Sequence, residues 1–515
     1  MSTSWTRRSF LRTAAGVMAA APYVGRLPRA WAADASFDPT YGTATAAVRA
    51  IRSGTISSRE LVELAYRRIK KHNPTINAFI TLREEDALQE ARQADEALVK
   101  GRSLGPLHGL PIVVKDLNST AGIRTTFGSK WYKNYVPTED APPVARLRHA
   151  GAIIIGKTNS PSFGDDYQTY NEIVGLTKNP WDPARSPGGS TGGGAAALAA
   201  GIGFLELGSD LGGSIRNPAH FCGIYGHKPT FDVVPRIGPR APGFPIASWD
   251  NLWVKGPLAR SAQDLQLELE VVGGPISSEA IAYGWKLPPA RGTRLKDYRI
   301  GFVLTDPFCP PSSEVAPVIT RAVDAMRSHG VRMDEGWPKG IDFPKVFEDY
   351  FFLLVNSAYQ KEEELKKRID RLKGNDDYYS VLAIQAYAAS YQQWRVRDGA
   401  RAEVRAIWRE YFRDHDAFIM PANFCAAFPH TLAEDWSLRA IETNDGKRAY
   451  LDLVRWMTMP TLSGCPATVA PAGRTPQGLP VGIQIMGPYL EDATSIHVAD
   501  QIADVVGGFV PPPGY

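Results

Sequence analysis

The sequence predicts an α/β protein built as one large domain, with a central β-sheet covered on both faces by helices. Two observations carry this. Short, nearly continuous apolar runs, of the kind that form strands buried on both faces, alternate along the chain with stretches of helical periodicity. No Ser/Gly-rich or charged linker divides the 515 residues and no internal repeat is visible, so one large domain fits better than the three that roughly 150 residues per domain would allow. Composition agrees. Hydrophobic residues at 44% and charged residues at 22% describe an ordinary soluble globular chain, which excludes disorder, a coiled coil and a polytopic membrane protein.

The first 32 residues read as an address rather than as fold. Arg7-Arg8 precede Ser9-Phe10-Leu11-Arg12, a weakly apolar stretch runs from Ala14 to Ala21, and Ala30-Trp31-Ala32 offers a small-x-small cleavage site. These are the parts of a secretory signal, and the paired arginines are of the twin-arginine type. The apolar stretch is too short to cross a bilayer. The expectation is a signal peptide over 1–32, a mature chain over 33–515, and a periplasmic or secreted protein with no stable membrane association. The whole chain carries +4, a hint of an acidic partner such as nucleic acid. Residues 1–32 hold five arginines and no acid or lysine, so the mature chain has 53 basic residues against 54 acidic ones, a charge of −1, and the hint disappears. Export would permit disulfides among Cys222, Cys309, Cys425 and Cys465, with three possible pairings. Cys222, in an apolar Gly-flanked run, reads better as a buried free thiol.

In the mature chain, Ser57-Ser58-Arg59-Glu60 is a capping box opening a helix with Leu61, Leu64, Ala65 and Ile69 on one face. A second helix is expected over 84–100. Buried strands are expected over 110–114, 152–155, 204–207 and 300–304, with helices such as 141–149 and 195–200 between them. Residues 346–413 read as mainly helical, with the charged run 361–367 a solvated face. The runs 417–420 and 481–486 can return strands to the same sheet.

The 47 glycines concentrate at Gly188-Gly189-Ser190-Thr191-Gly192-Gly193-Gly194 and at Gly208-Ser209-Asp210-Leu211-Gly212-Gly213-Ser214. Neither loop is followed by the lysine of a phosphate-binding loop, and neither fits a dinucleotide fingerprint. Gly188-Gly189-Ser190-Thr191-Gly192 formally matches a nucleophile elbow, but Pro183 and Pro187 spoil the strand that such an elbow requires. The second loop follows a predicted strand, and Gly212-Gly213 let backbone N–H groups converge beside Ser214, as an oxyanion hole needs. A serine still needs a base. The nine histidines show no pairing, S-x-x-K is absent, and H-E-x-x-H is missing, so no zinc site is expected. Lys115, ending the apolar run 110–114, is the outstanding candidate. Burial lowers a lysine from about 10.4 towards the range useful to a base. The competing reading is an ion pair with Asp116 or another carboxylate.

These residues resemble a family. Pro106-Leu107-His108-Gly109-Leu110-Pro111-Ile112-Val113-Val114-Lys115-Asp116 resembles the lysine motif of the amidase signature family. Ser186-Pro187-Gly188-Gly189-Ser190-Thr191-Gly192-Gly193, Ser209-Asp210-Leu211-Gly212-Gly213-Ser214-Ile215-Arg216-Asn217-Pro218-Ala219 and Cys222-Gly223-Ile224-Tyr225-Gly226-His227-Lys228-Pro229-Thr230 resemble its glycine/serine signature. Leu479-Pro480-Val481-Gly482-Ile483-Gln484 is a weaker match. The resemblance covers nearly all of 33–515. It implies a mixed central sheet and a Ser–cis-Ser–Lys triad: Ser214 as nucleophile, Ser190 with a cis Gly189–Ser190 bond as bridge, and Lys115 as base. The N–H groups of Leu211, Gly212, Gly213 and Ser214 would form the oxyanion hole. It implies no metal and no organic cofactor. Thr191 and Gly194 stand where members often have Ser, Leu211 where Thr is common, and His227 where an apolar residue is usual. Asp210 and Arg216 read as an ion pair bracing the second loop.

The function this implies is an exported amidase that cleaves the C–N bond of a small-molecule carboxamide, or an ester or carbamate, without nucleic acid; a homodimer stays open. The alternative is the glutaminase-like subunit of a tRNA-dependent amidotransferase, which the export signal opposes. A catalytically dead binding protein is disfavoured by the intact Lys115, Ser190 and Ser214. The loops 127–135 and 232–250, with Phe127, Trp131, Phe244 and Trp249, are candidates for an apolar substrate wall.

Overall fold

The computed structural model describes residues 37–236, 242–243, 252–357, 362–433, 436 and 439–515. The leader over 1–32, Lys361, Phe244 and Trp249 lie outside the described residues.

The described strands are β1 (Phe79–Leu82), β2 (Pro111–Lys115), β3 (Ile153–Thr158), β4 (Tyr170–Asn171), β5 (Gly175–Leu176), β6 (Leu205–Asp210), β7 (Tyr225–Lys228) and β8 (Val254–Ala259). They continue with β9 (Arg299–Phe302), β10 (Arg332–Glu335), β11 (Ala417–Pro421), β12 (Ala440–Thr443), β13 (Gly446–Ala449), β14 (Ala467–Arg474) and β15 (Pro480–Met486). Eleven of them form one sheet in the order β1-β3-β2-β6-β8-β7-β14-β15-β11-β9-β10. The sheet is mixed. β2 runs parallel to both β3 and β6, β9 runs parallel to both β10 and β11, and the strands between β6 and β11 are antiparallel to their neighbours.

Alternation along single strands proves that both faces are covered. In β8, Leu258 packs with Ala195, Leu198 and Ala219 of the helices Gly192–Ala199 and Arg216–Cys222, while Ala259 packs with Leu265 and Leu269 of the helix Ala262–Val272. In β11, Ile419 faces the same core as Ile496 of the helix Asp492–Val506, while Phe418 and Met420 face an aromatic cluster with Phe347, Tyr350 and Trp408. Each predicted strand is present and begins within a residue of its expected start. The helix Ser58–Ile76 carries the anticipated box, with Glu60 N–H donating to Ser57 Oγ (3.1 Å) and Ser57 N–H donating to Glu60 Oε2 (2.8 Å).

The region expected to be helical holds Phe343–Val355, Glu362–Leu372, Tyr378–Tyr387 and Tyr391–Tyr411. Their apolar sides build the aromatic cluster beside one end of the sheet. Lys366–Glu362 (2.7 Å) and Lys367–Glu363 (3.1 Å) are exposed i,i+4 pairs, which makes the described part of the charged run a solvated face. All four cysteines are buried free thiols.

The helix Gly192–Ala199 starts pressed against backbone. A Cβ on Gly193 would lie 2.5 Å from both N and O of Asn159 and 2.7 Å from Ala78 O. Gly193→Ala is expected to cost about 1–3 kcal/mol, as overpacking against groups that cannot yield. Gly399, inside the helix Tyr391–Tyr411, has nothing within 4 Å of its would-be Cβ. Gly399→Ala is expected to stabilise by about 0.5–1 kcal/mol by restricting the unfolded chain. Shifts of opposite sign in the denaturant midpoint check both.

Candidate active site

The site forms where β2 and β6 end side by side. Lys115, the last residue of β2, is fully buried. Its Nζ donates to Ser190 Oγ (2.7 Å), Thr191 Oγ1 (2.9 Å) and Ser209 Oγ (3.1 Å). Three hydroxyls, with no carboxylate among the described residues in contact, solvate the group without fixing it as a cation. Burial pulls Lys115 down to about 7, against the opposing fields of Glu206 and Asp210. The competing Lys115–Asp116 pair does not form. Asp116 Oδ2 accepts from Thr126 N–H (2.9 Å) and Thr126 Oγ1 (2.5 Å), and its Oδ1 lies 3.9 Å from Lys157 Nζ.

The first glycine loop delivers Ser190. The Gly189–Ser190 peptide is cis. Gly189 lies so near the 166–168 backbone that a Cβ would come within 2.7 Å of Gln168 O. Thr169 Oγ1 staples the loop, donating to Gly188 O (2.9 Å) and accepting from Gly192 N–H (3.1 Å). Thr191 N–H donates to Ser214 O (3.1 Å), which locks the two glycine loops together.

The second loop is folded around Asp210. Its carboxylate accepts from the N–H groups of Gly213 (3.0 Å), Ile215 (3.0 Å) and Arg216 (3.3 Å), and from Arg216 Nη2 (2.7 Å) and Nε (3.1 Å). Burial pushes Asp210 up, but the Arg216 guanidinium and the backbone donors outweigh it and hold the carboxyl below the usual range. Arg216 continues to Gln484 Oε1 (2.7 Å), Thr461 Oγ1 (2.7 Å) and Met457 O (3.2 Å). The bracing pair is therefore real, and it reaches the weak C-terminal motif through Gln484. The expected oxyanion set loses one member. Gly213 N–H is committed to Asp210 and points into the loop, which leaves Leu211, Gly212 and Ser214.

Ser214 is 7% exposed and opens on a cleft lined by Tyr167, Leu211, Phe351, Leu354, Val355, Tyr387, Trp436 and Tyr450. The charged groups of this lining are partnered: Asp166 with Arg439 (2.6 Å), Asp165 with Arg368 (3.8 Å). Of the aromatic residues expected at 127–135, Phe127 packs internally against Tyr132 and Tyr135, while Trp131, 76% exposed, packs against Phe163, the neighbour of Gly164 in the cleft lining. Sequence reasoning missed Phe351 and its neighbours, because their helix joins the site only through tertiary packing. It also missed Thr191 and Ser209 as Lys115 partners, although both sit inside the motifs.

Fold and site together define a mixed-sheet α/β protein in which a buried lysine contacts a serine. A family model described as Amidase matches residues 60–496. The chain is 34% identical over 485 residues to a glutamyl-tRNA(Gln) amidotransferase subunit of Chloroflexus aurantiacus, covering 89% of this chain and 95% of that one. It superimposes on a solved amidase with TM-score 0.74 and 29% identity, covering 90% of this chain and all of the other. A 6-aminohexanoate cyclic dimer hydrolase matches with TM-score 0.74 and 26% identity over 92% and 99% of the two chains. The chain belongs to the amidase signature family, and as a member it is a hydrolase of C–N bonds.

Asp210→Asn leaves the buried Arg216 charge uncompensated. The variant is expected to lose about 3–5 kcal/mol, read from equilibrium denaturation.

Proposed function

We propose that the protein is an exported amidase that hydrolyses carboxamides with an uncharged, apolar acyl group through an acyl-enzyme on Ser214. The observation that carries the chemistry is the 2.7 Å contact from buried Lys115 Nζ to Ser190 Oγ, beside a serine that opens on the cleft. Lys115, neutral at rest, takes a proton from Ser190 as Ser190 takes the Ser214 proton. Ser214 Oγ attacks the amide carbon, and the oxyanion faces the N–H groups of Leu211, Gly212 and Ser214. The proton returns through Ser190 to the leaving nitrogen, the C–N bond breaks, and amine departs. Water, deprotonated by the same route, attacks the ester and releases carboxylate and free Ser214.

The acyl preference rests on the lining of the cleft. Aromatic and aliphatic side chains make up much of the lining around Ser214, Asp166 is held by Arg439 (2.6 Å), and Asp165 lies exposed 3.8 Å from Arg368. A charged amino-acid amide would have to break those pairs or bury its charges without partners. Export rests on the 1–32 leader, and an exported enzyme works in the periplasm or outside the cell. N-terminal sequencing of protein from fractionated cells tests this, with residue 33 as the expected start.

A second reading has a specific observation behind it. The relative from Chloroflexus aurantiacus, 34% identical and matched over 89% of this chain, belongs to an amidotransferase. On that reading the substrate is the side-chain amide of glutamine, and the protein works with partners and tRNA. Aryl, aliphatic and cyclic amides assayed beside glutamine, with mass spectrometry of the acylated Ser214 peptide, separate the two. An apolar amide favoured by about a hundredfold or more in kcat/KM supports the first reading. Preference for glutamine supports the second.

Ser214→Ala is expected to lower kcat by roughly 10⁴–10⁶, and Lys115→Ala to be similarly severe. Near-normal turnover by either variant moves the corresponding role elsewhere. Because only the neutral lysine accepts the proton, kcat/KM should rise with pH through about 7 on the acid side.

A further inference from the structure

Among the described residues no carboxylate lies within hydrogen-bond reach of Lys115, yet a carboxyl is buried close by on the same face of the sheet. Register places Glu206 of β6 opposite Val113, two residues before Lys115, and Thr158 of β3 opposite Lys115. The three side chains share the face under the helix Gly192–Ala199. Glu206 is 0% exposed, Thr158 Oγ1 donates to its Oε1 (2.7 Å), and its Oε2 has no hydrogen-bond partner among the described residues. The space it fills belongs to Gly194. A Cβ there would lie 2.3 Å from Glu206 Cδ and 2.5 Å from Oε1.

The neighbouring charges are answered elsewhere. On β3, Lys157 donates to Asn118 O (2.5 Å), Thr120 Oγ1 (3.0 Å) and Thr125 Oγ1 (3.0 Å), with Asp116 as its acid at 3.9 Å. At the end of β6, Asp210 is held by Arg216. The helix Gly192–Ala199 brings no titratable group, and the single charge of β8, the buried Lys255, sits opposite Ser209, three positions beyond Glu206. On the opposite side of the sheet, Glu268 of the helix Ala262–Val272 is also buried, and burial and Glu206 both push its carboxyl up towards the neutral form. Of the two lysines whose fields reach Glu206, Lys115 acts more strongly than Lys157 and shares its face of the sheet.

We propose that Glu206 is a positioning residue for the amidase reaction: its carboxyl is the counter-charge to the protonated Lys115 that forms when Ser214 loses its proton, and it sets the pH at which Lys115 becomes a base. The proposal rests on Lys115 being the base. Burial pushes the Glu206 carboxyl up, while Thr158, Lys115 and Lys157 oppose that rise. Among charged groups, Glu206 exerts the largest upward pull on Lys115. Two such groups titrate as a coupled pair, and Glu206 answers the Lys115 charge in the state where its carboxyl is ionised.

The test uses the rate at which an alkyl fluorophosphonate labels Ser214, followed by intact mass across pH. This reads the nucleophile without knowledge of the natural substrate. Ser214 Oγ bonds to phosphorus, the P–F bond breaks, fluoride leaves, and the serine proton passes to Lys115. Glu206→Gln keeps the shape and the Thr158 contact but removes the negative charge. The acid limb of its labelling profile is expected to move down by about one pH unit or more, with a slower rate on the plateau. Glu206→Ala combined with Gly194→Ser refills the space without a carboxyl and should move the limb the same way. An acid limb that stays at the wild-type position in both variants, or moves up, overturns the proposal while Lys115→Ala remains unlabelled. Normal labelling of Lys115→Ala overturns the base assignment, and this proposal with it.

Discussion

A lysine amine held inside a β-sheet with only hydroxyl oxygens around it is the constraint on which this structure turns. An isolated ammonium in such a place costs several kcal/mol, so the group either loses its proton or draws in compensation. Both answers are visible. Ser190, Thr191 and Ser209 supply three acceptors, enough for either protonation state, and the nearest carboxyls act from beyond contact. A carboxylate bonded directly to Lys115 would have made a stable ion pair and a poor base. The parallel arrangement of β2 between β3 and β6 meets this requirement, because all three strands end at the same edge and their following loops converge there.

Those loops are rich in glycine and need an anchor. Asp210 and Arg216 provide it at long range. The carboxylate gathers three backbone N–H groups of its own loop, and the guanidinium reaches Thr461 and Gln484, more than 240 positions along the chain. The nucleophile loop is thereby tied to β15, on the far side of β8, β7 and β14. This explains why one domain, rather than two, is needed to hold one serine. The same geometry decides which amides are free to bind an oxyanion: a donor used to fold the loop, as in Gly213, is no longer available to the substrate.

The parts legible in the sequence were those where one physical signal dominates. β2, β3, β11 and β15 are short apolar runs, and Ser57/Glu60 is a local capping pattern. β7 (Tyr-Gly-His-Lys) and β8 (Val-Lys-Gly-Pro-Leu-Ala) were not singled out, because their glycine, proline and charges hide strands that exist through pairing with distant partners. The proposed triad positions were legible through resemblance, whereas composition and spacing alone left Lys115 open between base and ion pair. The cleft lining was illegible. Phe351 and Tyr387 look like any core aromatics until the helices that carry them are seen against Ser214, and Phe127 was equally aromatic but packs into its own loop. Glu206 escaped notice as one polar residue in an apolar run.

The departures from the family pattern form a consistent set once their neighbours are known. Gly194 lacks a side chain where Glu206 needs the room. His227, in an otherwise apolar position, is satisfied by Thr468 Oγ1 (2.9 Å) and Asp492 Oδ1 (3.1 Å), and Asp492 also takes the N–H and hydroxyl of Thr230. Thr191 retains the hydroxyl that Lys115 uses and adds a methyl beside Gly208, where a side chain on 208 would meet it at 3.0 Å. Each change is matched by a compensating neighbour inside the protein. Leu211 is different in kind: its backbone carbonyl accepts from Tyr350 (3.2 Å), and the residue, partly buried against the aromatic cluster, lines the cleft beside Ser214. Of the four, it alone is among the residues that line the cleft.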